Sequence, residues 1–269
     1  EDILGRPIAG TLQSVKKLTA RDLHKYQKEV LNQHEIIIVA TGSVDHQNLC
    51  TWIHSNFSHK KSFKKKARRF KKCPAKHLRR NKDISQCIVS YGMQCKSGTR
   101  KEKISLAVLN SLLGDGMSSR LFQSVREEQG LVYSIYTACD FYDNRVGFNI
   151  NFSAEHSKSK KALEVTHKEI QKLITEGVAD YEIEDCKNAL IGNLILNTET
   201  SNSRMNRLAR LYLSGNSIEG LDYTIKEIRA VTKKDVEKWI PIIFQKNAWS
   251  SAAILPKGKT LAGKKWMTW

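Results

Sequence analysis

Arg126 and Tyr133 lie on either side of Gly130 in GDGMSSRLFQSVREEQGLVYSIYT, residues 114–137. A guanidinium offers a fixed fork of hydrogen-bond donors. A phenol donates while staying neutral at pH 7. Leu121, Phe122 and Val125 define the apolar stripe of a short helix, and Arg126, four residues after Phe122, flanks it. Gly130 suits the left-handed position that ends a helix. The strand that follows is expected to alternate, with Leu131, Tyr133 and Ile135 on one face and Val132, Ser134 and Tyr136 on the other. The turn is expected to bring Arg126 and Tyr133 near each other at one end of a sheet.

Other chemistry-bearing patterns are poorly matched. The Gly114-Asp115-Gly116 loop lacks the Gly-x-x-x-x-Gly-Lys-Ser/Thr spacing that cradles phosphate, so Ser118 and Ser119 read as candidate helix caps. Phe152-Ser153-Ala154-Glu155-His156 approaches the His-x-x-Glu-His zinc pattern, but Phe152 replaces the first histidine at an expected strand end. Two metal ligands of that motif must share one helical face, which this position does not offer. The remaining histidines are dispersed, and neither a Ser–His–Asp nor a Cys–His arrangement is visible. Six cysteines without a Cys-x-x-Cys pair read as reduced thiols and argue against a zinc ribbon or disulfide framework.

The net charge of +18 is concentrated in residues 59–82, which hold 13 Lys or Arg and no acid, leaving +5 for the rest. A block of this kind is expected to be a solvated linker that can also meet anionic partners. Only Phe63 and Phe70 interleave with the charge, so a nucleic-acid-binding module is the disfavoured alternative. No apolar run reaches bilayer-spanning length, so no membrane role is expected. The opening residues EDILGRPIAG do not read as a signal peptide, and the chain reads as an internal fragment.

The elements that must position Arg126 and Tyr133 come from a repeat. LTARDL at Leu18 and VTKKDV at Val231 each lead through an amphipathic helix into an apolar run, Ile36–Ala40 and Ser251–Leu255. Thr19 and Thr232 fit helix N-caps. An offset of this length suits a duplicated domain better than a solenoid. Strands are expected over 84–95, 132–139, 146–154 and 249–255. Helices are expected over 104–113, 117–129, 157–175, 180–197, 201–213 and 231–244. Strands, then helices, then a returning strand imply an α+β unit with helices packed on one face of a mainly antiparallel sheet. The expected divisions are 1–48 as the tail of a truncated N-terminal repeat, 49–83 as a basic linker, 84–256 as the C-terminal domain and 257–269 as a tail.

Two stretches resemble the pitrilysin/insulinase family of zinc metallopeptidases, which includes the mitochondrial processing peptidases. LGRPIAGT, the LTARDL helix and IIIVATGSVD are similar to the end of the family's N-terminal domain. GDGMSSRLFQSVREEQGLVYSIYT is similar to the motif of its C-terminal domain. The resemblance implies two like domains clamping an extended peptide, with zinc held by His-x-x-Glu-His in the other one. It therefore implies no metal bound by this chain and zinc in the complete enzyme. It assigns Arg126 to substrate backbone carbonyls, and to placing Tyr133. It assigns Tyr133 to the oxyanion formed during peptide hydrolysis, so both are catalytic and substrate-binding candidates. The implied partners are a peptide substrate and a zinc-bearing N-terminal domain or partner subunit, with a homodimer also open. A non-catalytic scaffold or substrate-recognition subunit is the alternative within the same fold. A cytoplasmic location is expected, with mitochondria or another organelle left open.

Overall fold

A computed structural model describes residues 3–33, 35–57, 73–142, 144–215 and 217–261. The chain opens with helices α1 (Leu12–Lys16), α2 (Ala20–Gln33) and α3 (His46–Asn56), then strands β1 (His77–Lys82) and β2 (Gln86–Lys96). Helix α4 (Arg100–Gly114) and a π-helical segment (Phe122–Glu127) lead to β3 (Ser134–Phe141) and β4 (Arg145–Glu155). Helices α5 (His156–Glu176), α6 (Asp180–Leu196), α7 (Ser201–Leu213), α8 (Leu221–Arg229), α9 (Lys233–Glu237) and α10 (Ile240–Ile243) precede β5 (Ser250–Pro256). Two compact units result, one from the front of the chain together with Ser201–Leu213, the other from the described residues after 72 without that helix.

In the first unit α2 begins at a reciprocal cap. The Thr19 hydroxyl accepts from the Asp22 N–H at 3.2 Å, and the Asp22 carboxylate accepts from the Thr19 N–H at 3.0 Å. Thr232 and Asp235 repeat this arrangement at 3.3 and 3.0 Å. The matching Thr-x-x-Asp of the two repeats is thus a capping box, which satisfies donors a helix start leaves open. The apolar run Ile36–Ala40 is not a strand, contrary to expectation. An extended segment becomes a strand only beside a partner, and none pairs with it among the described residues of its unit. Ile36, Ile38, Leu23, Tyr26 and Trp52 are all exposed.

The second unit holds a five-stranded sheet in the order β1-β5-β2-β4-β3. Only β1–β5 is parallel; β5–β2, β2–β4 and β4–β3 are antiparallel. Alternation along β2 buries Cys87, Val89, Tyr91, Met93 and Cys95, and along β4 it buries Val146, Phe148, Ile150, Phe152 and Ala154. Register pairs these residues one to one, so the core face is continuous across both strands. Helices α4, α5 and α10 cover that face. Phe148, Phe244 and Trp249 close one end, with ring centroids 5.9–6.5 Å apart. Ser90, Asn149, Asn151 and Ser153 lie on the opposite side and are half-buried. The α+β layering is as expected.

Several boundaries differ. Helix α3 crosses the expected division at 48/49, because Asp45 caps it by accepting from the Asn48 N–H at 2.7 Å. His77–Lys82, assigned to the linker, forms edge strand β1; its side chains are all exposed, and its backbone supplies the pairing. Charged side chains on an edge strand discourage pairing with another sheet. Most of the basic block, 59–72, lies outside the described residues. The expected helix over 231–244 divides into α9 and α10, since Pro241 has no N–H to continue the ladder. Helix α7 groups with the first unit, not with the 84–256 domain.

Candidate functional site

Arg126 and Tyr133 sit on either side of the turn that joins the π-helical segment to β3. The regular helix expected over 117–129 is reduced to that segment. Its wider winding shows in the Glu128 N–H donating to the Gln123 carbonyl at 2.9 Å, five residues back. Leu121 and Val125 are fully buried and fix the inner side. Arg126 points outward, its side chain 43% exposed. Its guanidinium carbon lies 4.7 Å from the centre of the Phe122 ring, a cation–π contact that restrains the stem and leaves donors free for a ligand. Glu127 is 4.0 Å away, a surface pair of little energetic weight.

Gly130 adopts φ of +56°, as the turn requires. Its N–H reaches the Arg126 carbonyl at 3.0 Å, and the Leu131 N–H reaches the Val125 carbonyl at 3.1 Å. Lys158 donates to the Gly130 carbonyl at 3.1 Å. Beyond the turn the expected alternation fails. Val132 and Ile135 are buried, whereas Tyr133 is 57% exposed. The chain bends at Tyr133 before the strand begins, so Tyr133 does not share a face with Ile135. The bend is held by the Tyr133 N–H donating to the Ser153 carbonyl at 2.8 Å, next to the Ser134–Ser153 pair. The Tyr133 hydroxyl has no hydrogen-bond partner among the described residues, and none joins it to Arg126. The site therefore consists of two separately presented donors on one tightly bonded turn.

Ser119 does not cap the segment through its hydroxyl oxygen. That hydroxyl donates to the Gly116 carbonyl at 2.7 Å and tightens the loop. Arg120 was not singled out in the sequence, yet it anchors the start of the segment. Its Nε and Nη2 donate to Glu182 at 2.7 and 2.6 Å, and Nη2 also donates to the Gly177 carbonyl at 3.1 Å. Burial would raise the Glu182 carboxyl, but the bonds from Arg120 and the Ala179 N–H outweigh it and hold the group below its ordinary value. Nothing local signals a partner 62 positions away.

Phe152 is buried on the core face of β4, and His156 starts α5 with Nε2 donating to the Thr260 carbonyl at 3.0 Å. The near-zinc pattern thus divides between a strand and a helix. On α3 the Cys50 sulfur lies 3.5 Å from His46 Nε2, a Cys–His contact not noticed in the sequence. Among the described residues no group of three His, Cys, Asp or Glu side chains could hold a metal ion. The zinc of the resemblance finds no matching donor set there. No helix among the described residues is long and apolar enough to cross a membrane.

Residues 17–190 match the family model described as the peptidase M16 inactive domain. An uncharacterised zinc protease of Mycobacterium leprae is 28% identical over 240 residues, covering 87% of this chain and 54% of that protein. A protein of Helicobacter pylori called a non-peptidase homolog is 22% identical, over 95% of this chain and 60% of its own length. A crystal structure of the peptidase M16 inactive domain from Pseudomonas fluorescens superposes with a TM-score of 0.74 at 16% identity, covering 95% of this chain and 61% of that one. The chain spans about half the length of the mycobacterial relative. The family match, the sheet with its helical layer and the zinc-protease relatives converge, and the chain belongs to the pitrilysin-type M16 peptidase family through its inactive domain.

Proposed function

We propose that this chain is the substrate-clamping, non-zinc-binding half of an M16-type endopeptidase acting on extended peptides. The observation that carries the reading is the free Tyr133 hydroxyl, presented to solvent while Val132 and Ile135 on either side of it are buried. Arg126, restrained by Phe122 but with open donors, stands on the other arm of that turn. Arg126 binds backbone carbonyls of the peptide, for which a planar fork is suited. Tyr133 donates to the oxygen that gains charge as the scissile carbonyl is attacked, and it needs no deprotonation to do so. The metal-binding residues belong to a second domain or partner subunit, and residues 1–48 here are the end of that preceding repeat. Its capping box, matched by Thr232 and Asp235, supports the duplication.

Steady-state hydrolysis of an extended peptide by this half combined with a zinc-bearing half tests the reading. Activity that requires both halves and depends on Tyr133 supports it. A combined enzyme indifferent to Tyr133→Phe would overturn it. One second reading has a specific observation behind it. The Helicobacter relative is called a non-peptidase homolog, so a scaffold subunit of the same fold is the competing role. Peptide binding without any hydrolysis in the combined assembly would favour that role.

A further inference from the structure

We propose that Arg120 and Glu182 form a positioning clamp for the peptide-facing turn, setting where Arg126 and Tyr133 stand. This rests on the peptide-clamping reading above. The segment that carries Arg126 has one short π-helical span, a rare winding that occurs mostly as a single turn and is frequent at functional sites. Two ties come from elsewhere in the unit. At the front, Arg120 makes three hydrogen bonds, two to the Glu182 carboxylate in the first turn of α6 and one to the Gly177 carbonyl in the loop between α5 and α6. At the back, Lys158 of α5 holds the Gly130 carbonyl. The ties end on α5, on the loop after it and on the first turn of α6, which are consecutive in the chain.

The front tie is suited to fixing geometry. A bidentate Arg–carboxylate pair defines an orientation as well as a distance, which a Lys pair does not. The two side chains are only 21% and 16% exposed, so water competes weakly for either partner. The Glu182 carboxylate is itself fixed by the Ala179 N–H at 2.8 Å, at the start of α6. Arg120 in turn supplies its own carbonyl to the Ser124 hydroxyl at 2.8 Å, inside the π-helical segment. A continuous chain of bonds therefore runs from α6 through Glu182 and Arg120 to the turn preceding Arg126.

Arg120→Lys and Glu182→Gln test the clamp, because each keeps bulk and removes the fork or the charge. Amide hydrogen exchange on the whole chain is the first readout. Exchange over 121–133 should accelerate about tenfold or more while β2 and β4 keep their protection, the sign of local loosening. Unchanged exchange over 121–133 would overturn the proposal. Equal acceleration through β2 and β4 would also overturn it, since the pair would then serve global stability only. In the enzyme reconstituted with a zinc-bearing half, kcat/KM for an extended peptide should fall about 10- to 100-fold, the cost of a misplaced catalytic group. Arg126→Ala and Tyr133→Phe run alongside report on the peptide-clamping reading itself. If those two are silent, that reading fails and the positioning role fails with it. If they are impaired while both clamp variants keep wild-type kinetics, the positioning role alone is overturned.

Discussion

At the scale of single residues, the proposed reading has Arg126 and Tyr133 donate at different moments. On the proposed reading Arg126 contacts the bound peptide, so Arg126→Ala should raise KM, with some loss of kcat because Tyr133 is then less well placed. Kinetics against peptide concentration check this, and an unchanged KM would remove Arg126 from substrate binding. The residue types and their spacing about Gly130 were legible in the sequence. The direction of Tyr133 was not. Period-two counting from Leu131 assumes a strand already running, whereas pairing starts only at Ser134 and the bend before it turns Tyr133 away from Ile135. That bend depends on the Ser153 carbonyl of β4, a long-range bond that no local pattern encodes.

At the scale of elements, turn and cap geometry hold the parts in register. Gly130 has open space around a would-be Cβ, so Gly130→Ala should cost only the backbone strain of a left-handed residue, about 1–2 kcal/mol. Thermal denaturation measures it, and an unchanged Tm would show that the turn relaxes. Acid acts on the caps. Hydrogen bonds from Lys238 and from Thr99 hold the Glu102 carboxyl at about 2, and those from Lys101 and Thr232 hold Asp235 at about 2. Each folded value is depressed, so the stabilisation is complete above the ordinary carboxylate range and is lost as pH falls toward about 2. Circular dichroism across an acid titration should show stability declining below about pH 4.5, and a flat profile down to pH 2 would contradict the cap assignment. Glu102 and Asp235 are partly exposed, so each contribution is modest. The Thr-x-x-Asp caps were readable because their partners lie three residues apart. The β1 strand was hidden by its basic composition, and Ile36–Ala40 was misread because apolar content cannot announce whether a neighbouring strand exists.

At the scale of the whole molecule, the chain combines a sheet-and-helix unit with a smaller one whose described apolar side chains are largely exposed. The described residues offer no three-donor metal set, and the match to the mycobacterial relative named a zinc protease covers 54% of that protein. On this account the purified chain should retain no zinc after dialysis against a weak chelator and should not cleave peptides. Metal analysis showing one tightly held zinc per chain, with chelator-sensitive hydrolysis, would contradict the division of labour. The grouping of α7 with the first unit could not be read from its amphipathic pattern, because a helical stripe gives a face but not its neighbour. The proposed clamp role is tested most directly by Tyr133→Phe in the reconstituted enzyme. The change removes one exposed hydroxyl and keeps the ring, so folding measured by circular dichroism should be unaffected. Loss of a single oxyanion donor is worth about 100- to 1000-fold in kcat with little change in KM, and that split is the predicted result. A folded Tyr133→Phe enzyme with wild-type kcat would contradict the account.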